Sequence, residues 1–273
     1  MWAMLKFEWN RLWHSKSMWM SCALAVFVIV MDFIECIRNS GGNYQRSMYY
    51  AWLGVNCEFY TGRYFFMVLP ILTSLGYAWS SCNDRVSGYI NQIIIRTSRC
   101  KYFLAKYIVS FISGGIVFSG ALVIHLMLLA TVYPNIKPVP GDLNSFMDSF
   151  RFCSELFYTN TYLFAIVWIF TAFLWGGAMS GICLATGMII KKIAVTPIVP
   201  FMVFTCQEII AAFIQYKYRI MLKETYLSIS WNEMLYADSY SRNPEDFVWG
   251  NIAIIIIVVS VIYSLRGRKY ECL

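Results

Sequence analysis

The sequence has little charge and lacks the motifs of common catalytic sites. Charged residues make up 14% of its 273 residues, whereas soluble proteins have about 25%. It contains no GxxxxGK[ST] phosphate loop, no HExxH motif and no GxSxG motif, and its two histidines are His14 and His125. We therefore expect no catalytic centre on this chain, and energy for any uphill process would come from a partner or an ion gradient.

The cysteines also lack a pattern. None of the nine lies in a CxxC spacing, which argues against a zinc site and against thiol redox chemistry. Cys57 and Cys153 both fall in segments that we place outside the membrane below. They could form a disulfide in an oxidising environment, and two free thiols fit the sequence equally well.

Apolar residues are what the chain has in excess. They make up 59% of it, against about 45–50% in soluble proteins, and several runs reach the roughly 20 residues that a membrane-spanning helix needs. No small-residue cleavage site follows the first run, so we interpret it as a retained span. We predict an all-α polytopic membrane protein formed by one domain over residues 1–273, with spans at about 18–37, 64–82, 105–133, 162–190, 193–214 and 248–265.

The distribution of basic residues predicts the orientation. With the N-terminus in the cytoplasm, the inner segments hold thirteen Lys and Arg residues and the longer outer segments hold nine. Short cytoplasmic loops are enriched in these cations. We therefore expect a plasma-membrane protein with both termini inside, and its net charge of +7 gives no reason to expect nucleic-acid binding.

Two inner segments have amphipathic patterns. Residues 1–17 predict a helix lying in the membrane interface, since an apolar stripe runs along one face of it: Trp2, Leu5, Trp9, Leu12 and Trp13. After the second span, Asn83 or Asp84 can cap a second short helix over 84–99, whose apolar face would contain Val86, Tyr89, Ile90, Ile93 and Ile94. A lipid-facing interfacial helix explains this second pattern as well as a protein contact does.

These segments together resemble an ABC-2-type transporter permease, the membrane subunit of an ABC exporter. The resemblance lies in "LKFEWNRLWHSKSMW" at the N-terminus, six spans, and "DRVSGYINQIIIRTSRCKYFLAKYI" after the second span. The family shows an acidic residue or Arg, then Ser/Thr-Gly, an apolar run and a basic entry to the third span. The matching residues here are Asp84, Arg85, Ser87, Gly88, Tyr89 to Ile95, Arg96, Arg99, Tyr102 and Lys106, with Asp84 standing where many members have Glu.

The resemblance implies how such a protein works. Helix 84–99 would be a coupling helix that docks on a separate ATPase subunit, with the N-terminal helix completing the contact. It implies two permeases and two ATPases per transporter, with ATP and Mg²⁺ bound on the ATPases, no cofactor or metal on this chain, and a substrate path between the permeases. The implied coupling residues are Trp9, Arg11, Asp84, Arg85, Val86, Ser87, Gly88, Tyr89, Ile90 and Ile93; replacing Asp84, Arg85 or Gly88 is expected to uncouple transport from ATP hydrolysis without affecting the fold.

Three acidic residues and one histidine lie within the predicted spans, one to two turns below the outer surface. They are Asp32, Glu35, His125 and Glu208. Charged residues inside a membrane are costly and often functional, so these four are candidates for a substrate pathway that attracts cations. The alternative is that they are hydrated near the interface and have no role in transport.

Glycine and proline indicate how the spans pack. Gly115-x-x-x-Ser119 and Gly177-x-x-x-Gly181 allow close helix approach, for which packing within one chain is the preferred interpretation. Pro197 and Pro200 are expected to bend the fifth span. Residues 215–247 are rich in Tyr and would form an extracellular or re-entrant segment.

We predict a homodimeric permease that exports an amphipathic or antimicrobial-type peptide, because small permeases of this layout resemble peptide-toxin and bacteriocin exporters. Other cargoes are a lipid, a lipid-linked glycan or a drug. From a different class, a gradient-driven transporter or a non-transporting immunity or scaffold protein stays open, although no inverted repeat or midplane charge favours the transporter.

Overall fold

The computed structural model describes residues 1–39, 47–53, 55, 60–140, 151–222, 230–231 and 244–268. Within these residues every regular element is helical, so the prediction of an all-α protein is confirmed. The helices are α1 (Trp2–Trp13), α2 (Lys16–Asn39), α3 (Met48–Ala51), α4 (Tyr60–Gly76), α5 (Ser80–Val86), α6 (Tyr89–Arg96), α7 (Arg99–Ala130), α8 (Ser154–Thr159), α9 (Thr161–Gly187), α10 (Val199–Leu222) and α11 (Pro244–Arg268).

Five of the described helices are long and apolar enough to cross a membrane: α2, α7, α9, α10 with the turn before it, and α11. A sixth span is formed if α4 and α5 are taken together, since they pass the same test as a pair with a 43° bend between them. Large apolar side chains such as Phe27, Ile166 and Ile257 are exposed along these helices. That exposure suits a protein surrounded by lipid.

The second span contains a bend that was not predicted. In the fifth span, the two prolines lie at the start of the helix and not inside it. Pro70 lies inside α4, and the helix breaks after Gly76, so that Tyr77 stands between α4 and α5. Pro197 falls in a 3₁₀ turn, Thr196–Ile198, ahead of α10, and Pro200 is the second residue of α10. Proline is tolerated in a first helical turn because the missing N–H has no intrahelical partner there. The prediction that these two prolines bend the span was therefore wrong.

Helices α7 and α9 cross at the centre of the bundle. A Cβ atom added at Gly114 would meet the carbonyl oxygen of Gly176, and one added at Gly176 would meet that of Gly114. The hydroxyl of Ser180 donates to the Ser110 carbonyl oxygen at 2.6 Å across the same crossing. The glycines predicted from the sequence lie next to this crossing. A Cβ atom added at Gly115, for example, would meet the Phe173 ring. These glycines thus pack helices within one chain.

Candidate functional site

One end of the bundle holds α1, α5, α6 and the first turns of α7, and it is called the α1 end here. The predicted coupling helix is divided in two at this end: α5 ends at Val86 and α6 begins at Tyr89. Gly88 joins them in the left-handed region, with φ of 71°, which glycine adopts at no steric cost. The prediction of a single helix over 84–99 capped by Asn83 or Asp84 was wrong, since both residues lie within α5.

Asp84 is the centre of a group of ionic contacts inside the protein. Its side chain is 1% exposed. Arg11 of α1 donates to both of its carboxylate oxygens, from Nη1 at 2.8 Å and from Nη2. Lys106 Nζ of α7 donates to Oδ2 at 2.8 Å, and the Tyr102 hydroxyl donates to the same oxygen at 2.9 Å. The carboxylate therefore connects α1, α5 and α7.

Glu8 of α1 completes the group. It is fully buried, accepts from Lys106 Nζ at 3.2 Å and accepts from the Tyr77 hydroxyl at the break between α4 and α5. Glu8, Arg11, Asp84 and Lys106 form what we call the buried charge cluster, in which two acids and two bases balance. Such a cluster is stable only when all its members are present, because removing one leaves a buried charge without compensation.

Arg11 extends the cluster to the coupling helix. Its guanidinium lies over the ring of Tyr89, the first residue of α6, with 5.1 Å from Cζ to the ring centroid. Burial alone would lower the pKa of Arg11, but its hydrogen bonds and charge interaction with Asp84 raise it overall, so the cation is retained. Partial burial raises the pKa of Tyr89, whose ring therefore stays neutral. Arg11 thus contacts α5 and α6 on both sides of Gly88.

The residues predicted for ATPase contact divide by exposure. Val86 and Ser87 are exposed. Asp84 and Ile90 are buried at 1% and take no part in a surface contact of this conformation, because they face the permease itself. The remaining six are partly buried: Trp9, Arg11, Arg85, Gly88, Tyr89 and Ile93.

Arg85 has a partner inside the chain. Its Nη1 donates to the Met188 carbonyl oxygen at 2.6 Å, which satisfies a carbonyl just beyond the end of α9. A nearby contact reinforces this joint, since the Cys82 thiol donates to the Ile190 carbonyl oxygen at 3.3 Å. These bonds attach α5 to the end of α9, whereas α6 is contacted by α1 through Arg11 and Tyr89.

The exposed face of α6 was not predicted. It contains Gln92, Ile95 and Arg96, which are three and four residues apart and so share one side of the helix. Ile95 is 85% exposed, although Ile93 and Ile94 pack against the core. The hydrophobic pattern could not separate these faces, because isoleucines occupy three consecutive positions, 93 to 95.

Glu8 and Lys106 carry a signal that sequence reasoning could have used. Glu8 lies three residues after Leu5 and four before Leu12, on the apolar stripe of α1. Lys106 lies in an otherwise apolar stretch, "YFLAKYIVSF". A charge on an apolar face predicts an opposite charge buried beside it, and these are the two residues that meet.

At the other end of the bundle, two of the four predicted pathway residues are in contact. Asp32 and His125 are buried, with 3.4 Å from Asp32 Oδ2 to His125 Nε2. The backbone N–H of Leu53 donates to His125 Nδ1 at 3.3 Å, so in the neutral ring the proton is assigned to Nε2, facing Asp32. The burial of Asp32 and His125 differs from the interpretation in which all four residues are hydrated near the interface.

Glu35 and Glu208 are half-buried and have separate partners. Glu35 Oε2 accepts from the Thr61 N–H at 3.2 Å and from the Thr61 hydroxyl. Glu208 Oε2 accepts from the Ser230 hydroxyl at 2.7 Å. The structure therefore brings Asp32 and His125 together and holds the two glutamates by contacts of their own.

Cys153 is a free thiol in the structure, and Cys57 lies outside the described residues. Partial burial and the nearby Glu245 raise the pKa of the Cys153 thiol to about 11. A thiolate is the reactive form in disulfide exchange, so this cysteine ionises little at neutral pH. Most of the predicted extracellular segment 215–247 also lies outside the described residues.

An all-helical bundle with five or six candidate membrane spans is the architecture of a polytopic membrane protein. The model of the ABC-2 family transporter proteins matches residues 4–192, more than half of the chain and all of the charge cluster. The chain belongs to this family, whose members are membrane subunits without a catalytic centre, and membership implies a separate ABC ATPase as partner. No curated protein and no solved structure matches it.

Proposed function

We propose that the chain is the permease of an ABC exporter and that the α1 end is where its ATPase docks. The observation that carries this proposal is the exposed face of α6. An isoleucine that is 85% exposed stands on a helix whose first residue, Tyr89, packs against Arg11 of α1. Burying such a side chain in a partner contributes about 1.5–3 kcal/mol.

The docking surface consists of Val86 and Ser87 at the end of α5 and Gln92, Ile95 and Arg96 on α6. The buried charge cluster has a different role. It holds α1, α5 and α7 together, so that a movement of α6 imposed by the ATPase would be passed to the spans. Asp84 and Lys106 therefore act through the positions of the helices and do not touch the partner.

A cysteine crosslinking scan tests this surface. Single cysteines are placed at Val86, Ile90, Gln92 and Ile95 in a chain without Cys82 and Cys100, which is co-expressed with candidate ABC ATPases of its source genome. We expect crosslinks to the ATPase at Val86, Gln92 and Ile95 and none at Ile90. Crosslinks at Ile90 instead would show that the docking face is wrongly assigned.

Substitution provides a second measurement. Ile95→Asp should abolish stimulation of the ATPase by the permease, whereas Ile136→Asp should leave it unchanged. Ile136 is a matched control because it is also an exposed isoleucine outside the spans, in the segment that follows α7. If Ile95→Asp couples normally and no position of α6 crosslinks, α6 is an interfacial helix and the protein is a gradient-driven transporter or scaffold.

For cargo we propose an amphipathic peptide, exported by a homodimer with two ATPases across the plasma membrane. An apolar groove of about 350 Å³ between α9, α10 and α11 supports this, since it is lined by aliphatic side chains, Thr186 and Trp231. Of the four candidates for the substrate pathway, we retain Glu35 and Glu208, which are half-buried. Asp32 and His125 are better explained as a structural pair.

The cargo proposal is tested by ATPase stimulation in proteoliposomes. Cationic amphipathic peptides should raise the hydrolysis rate of the permease–ATPase complex, and uncharged peptides of the same length should do so less. Stimulation by a lipid or lipid-linked glycan alone, with no response to peptide, would replace the peptide with the lipid as cargo.

A further inference from the structure

Two buried oxygen atoms at the α1 end have no hydrogen-bond partner among the described residues. One is the hydroxyl of Tyr263 in α11, a residue that is 5% exposed, and the other is Oε1 of the fully buried Glu8 in α1. Arg11 Nη1 stands 3.9 Å from Glu8 Oε1, which is beyond hydrogen-bond distance. A buried polar atom without a partner carries a desolvation cost, so both atoms require an explanation.

The two atoms belong to the same part of the interior. Glu8 and Asp84 lie close enough to the Tyr263 hydroxyl for their charges to act on it. The Tyr263 ring packs against the Phe103 ring, with 5.8 Å between the centroids. Phe103 packs in turn against Tyr102, whose hydroxyl donates to Asp84. The Tyr263 hydroxyl therefore lies beside the buried charge cluster without bonding to it.

Glu8 has room for one more donor. A carboxylate accepts hydrogen bonds at both of its oxygens. Oε2 of Glu8 accepts from Lys106 Nζ at 3.2 Å and from the Tyr77 hydroxyl, whereas Oε1 accepts from no described residue. The Tyr263 hydroxyl is a donor that lacks an acceptor. One hydrogen bond between these two atoms would thus satisfy both.

Such a bond would join α11 to the charge cluster. In the present conformation α11 is attached to α7, since the Tyr107 and Ser260 hydroxyls are 2.9 Å apart and a Cβ atom added at Gly267 would meet the Phe103 ring. Helix α11 also forms one wall of the apolar groove that we propose for the cargo, with Ile254, Ile255, Val258, Val259 and Ile262. It lies beyond residues 4–192, which the family model matches.

We propose that Tyr263 is a positioning residue whose hydroxyl donates to Glu8 Oε1 in a second conformation, reached when the ATPase moves α6. In the present conformation both atoms are unsatisfied, so the new bond favours the second conformation. It would pull α11, and with it one wall of the cargo groove, towards α1. This role rests on the ATPase docking that is proposed above for the α1 end.

Tyr263→Phe tests the proposal, because it removes the hydroxyl and keeps the ring. The unfolding temperature of the permease alone should equal that of the wild type or rise, since the lost hydroxyl is unsatisfied. Stimulation of the ATPase by the permease should fall about tenfold, the ratio that corresponds to one hydrogen bond to a charged acceptor. A merely structural role would lower the stability and leave the stimulation unchanged.

Tyr107→Phe is the matched control. It also removes a tyrosine hydroxyl at the contact of α7 with α11, but that hydroxyl is already bonded to Ser260. The control should lower the unfolding temperature and leave stimulation of the ATPase unchanged. An equal loss of stimulation in both variants would mean that the helix contact matters and the Tyr263 hydroxyl does not, and would overturn the proposal.

Two other results would also overturn it. If Tyr263→Phe is less stable than Tyr107→Phe, the hydroxyl is already bonded in the present conformation, through a buried water molecule. If Tyr263→Phe stimulates the ATPase as the wild type does, the second conformation does not use this bond. Failure of the proposed function gives a different result, because the wild-type chain itself would then stimulate no ATPase.

Discussion

At the scale of single residues, Gly88 has the clearest physical requirement. Its φ of 71° is in the left-handed region, and a Cβ added there meets nothing within 4 Å. The cost of a side chain at this position is therefore confined to the backbone. For most L-residues that cost is about 1–2 kcal/mol, and Asn adopts this conformation more readily than Ala.

Gly88→Ala should accordingly destabilise the junction of α5 and α6 by about 1–2 kcal/mol, and Gly88→Asn should do so by less. Hydrogen exchange of the α6 amide groups in detergent measures this directly. The control is Gly250→Ala, because Gly250 is also surrounded by open space but lies within helix α11 without a positive φ. A similar loss of protection in all three variants would contradict the conformational explanation.

At the scale of the helices, α1 packs into the protein on one face and is exposed on the other. Trp2 is 83% exposed, whereas Leu12 and Glu8 are fully buried. The apolar stripe predicted the helix. It did not predict that a carboxylate enters the protein, since the partner that makes this possible, Lys106, is 98 residues away along the chain. For the same reason the expectation that Asp84 can be replaced without affecting the fold is withdrawn.

Lys106→Met tests the cluster that joins α1 to α7. It leaves two carboxylates with one arginine, and breaking a buried ionic group costs about 3–5 kcal/mol. Adding Glu8→Gln restores the charge balance, since Arg11 and Asp84 remain as a pair. We expect a large fall in the thermal unfolding temperature for Lys106→Met and a smaller fall for the double variant.

The matched control for this cycle is Lys101→Met, on an exposed position of the same helix, which should change stability by less than about 0.5 kcal/mol. If Lys106→Met and Lys101→Met unfold at the same temperature, the cluster does not hold α1 to the spans. The cost of Glu8→Gln is compared with and without Lys106→Met. If that cost is the same in both backgrounds, the charges of Glu8 and Lys106 are not coupled.

The crossing of α7 and α9 gives a second prediction at this scale. Gly176→Ala places a methyl group against the Gly114 carbonyl, and a backbone atom cannot move aside as the end of a side chain can. Overpacking of this kind costs about 1–3 kcal/mol, seen as a lower unfolding temperature. Gly120→Ala on α7 has open space around its Cβ and should not destabilise; if both variants behave alike, the crossing is looser than the structure indicates.

At the scale of the whole molecule, the parts that could be predicted are those that depend on local composition. Apolar length is enough to locate membrane helices, and a stripe with helical spacing is enough to locate α1 and the region of α6. The bend after Gly76, the division at Gly88 and the pairing of Asp32 with His125 depend on neighbours brought together by the fold. The exposed face of α6 could not be predicted from the sequence either, because three consecutive isoleucines show no helical periodicity.

The distribution of charge predicts the orientation of the molecule and gives the last prediction. The predicted inner segments carry thirteen Lys and Arg residues and the longer predicted outer segments carry nine, and cations in short loops are retained in the cytoplasm. Lys6 and Lys137 are both exposed, in α1 and in the segment after α7. With each replaced by cysteine, a membrane-impermeant maleimide should label position 137 in intact cells and position 6 only after permeabilisation, with site-resolved mass spectrometry as the readout. Cys100, exposed at the α1 end, should behave like position 6. The opposite pattern would place α6 outside the cell, where no ATPase can reach it, and the assignment of the coupling surface would have to be abandoned together with the direction of export.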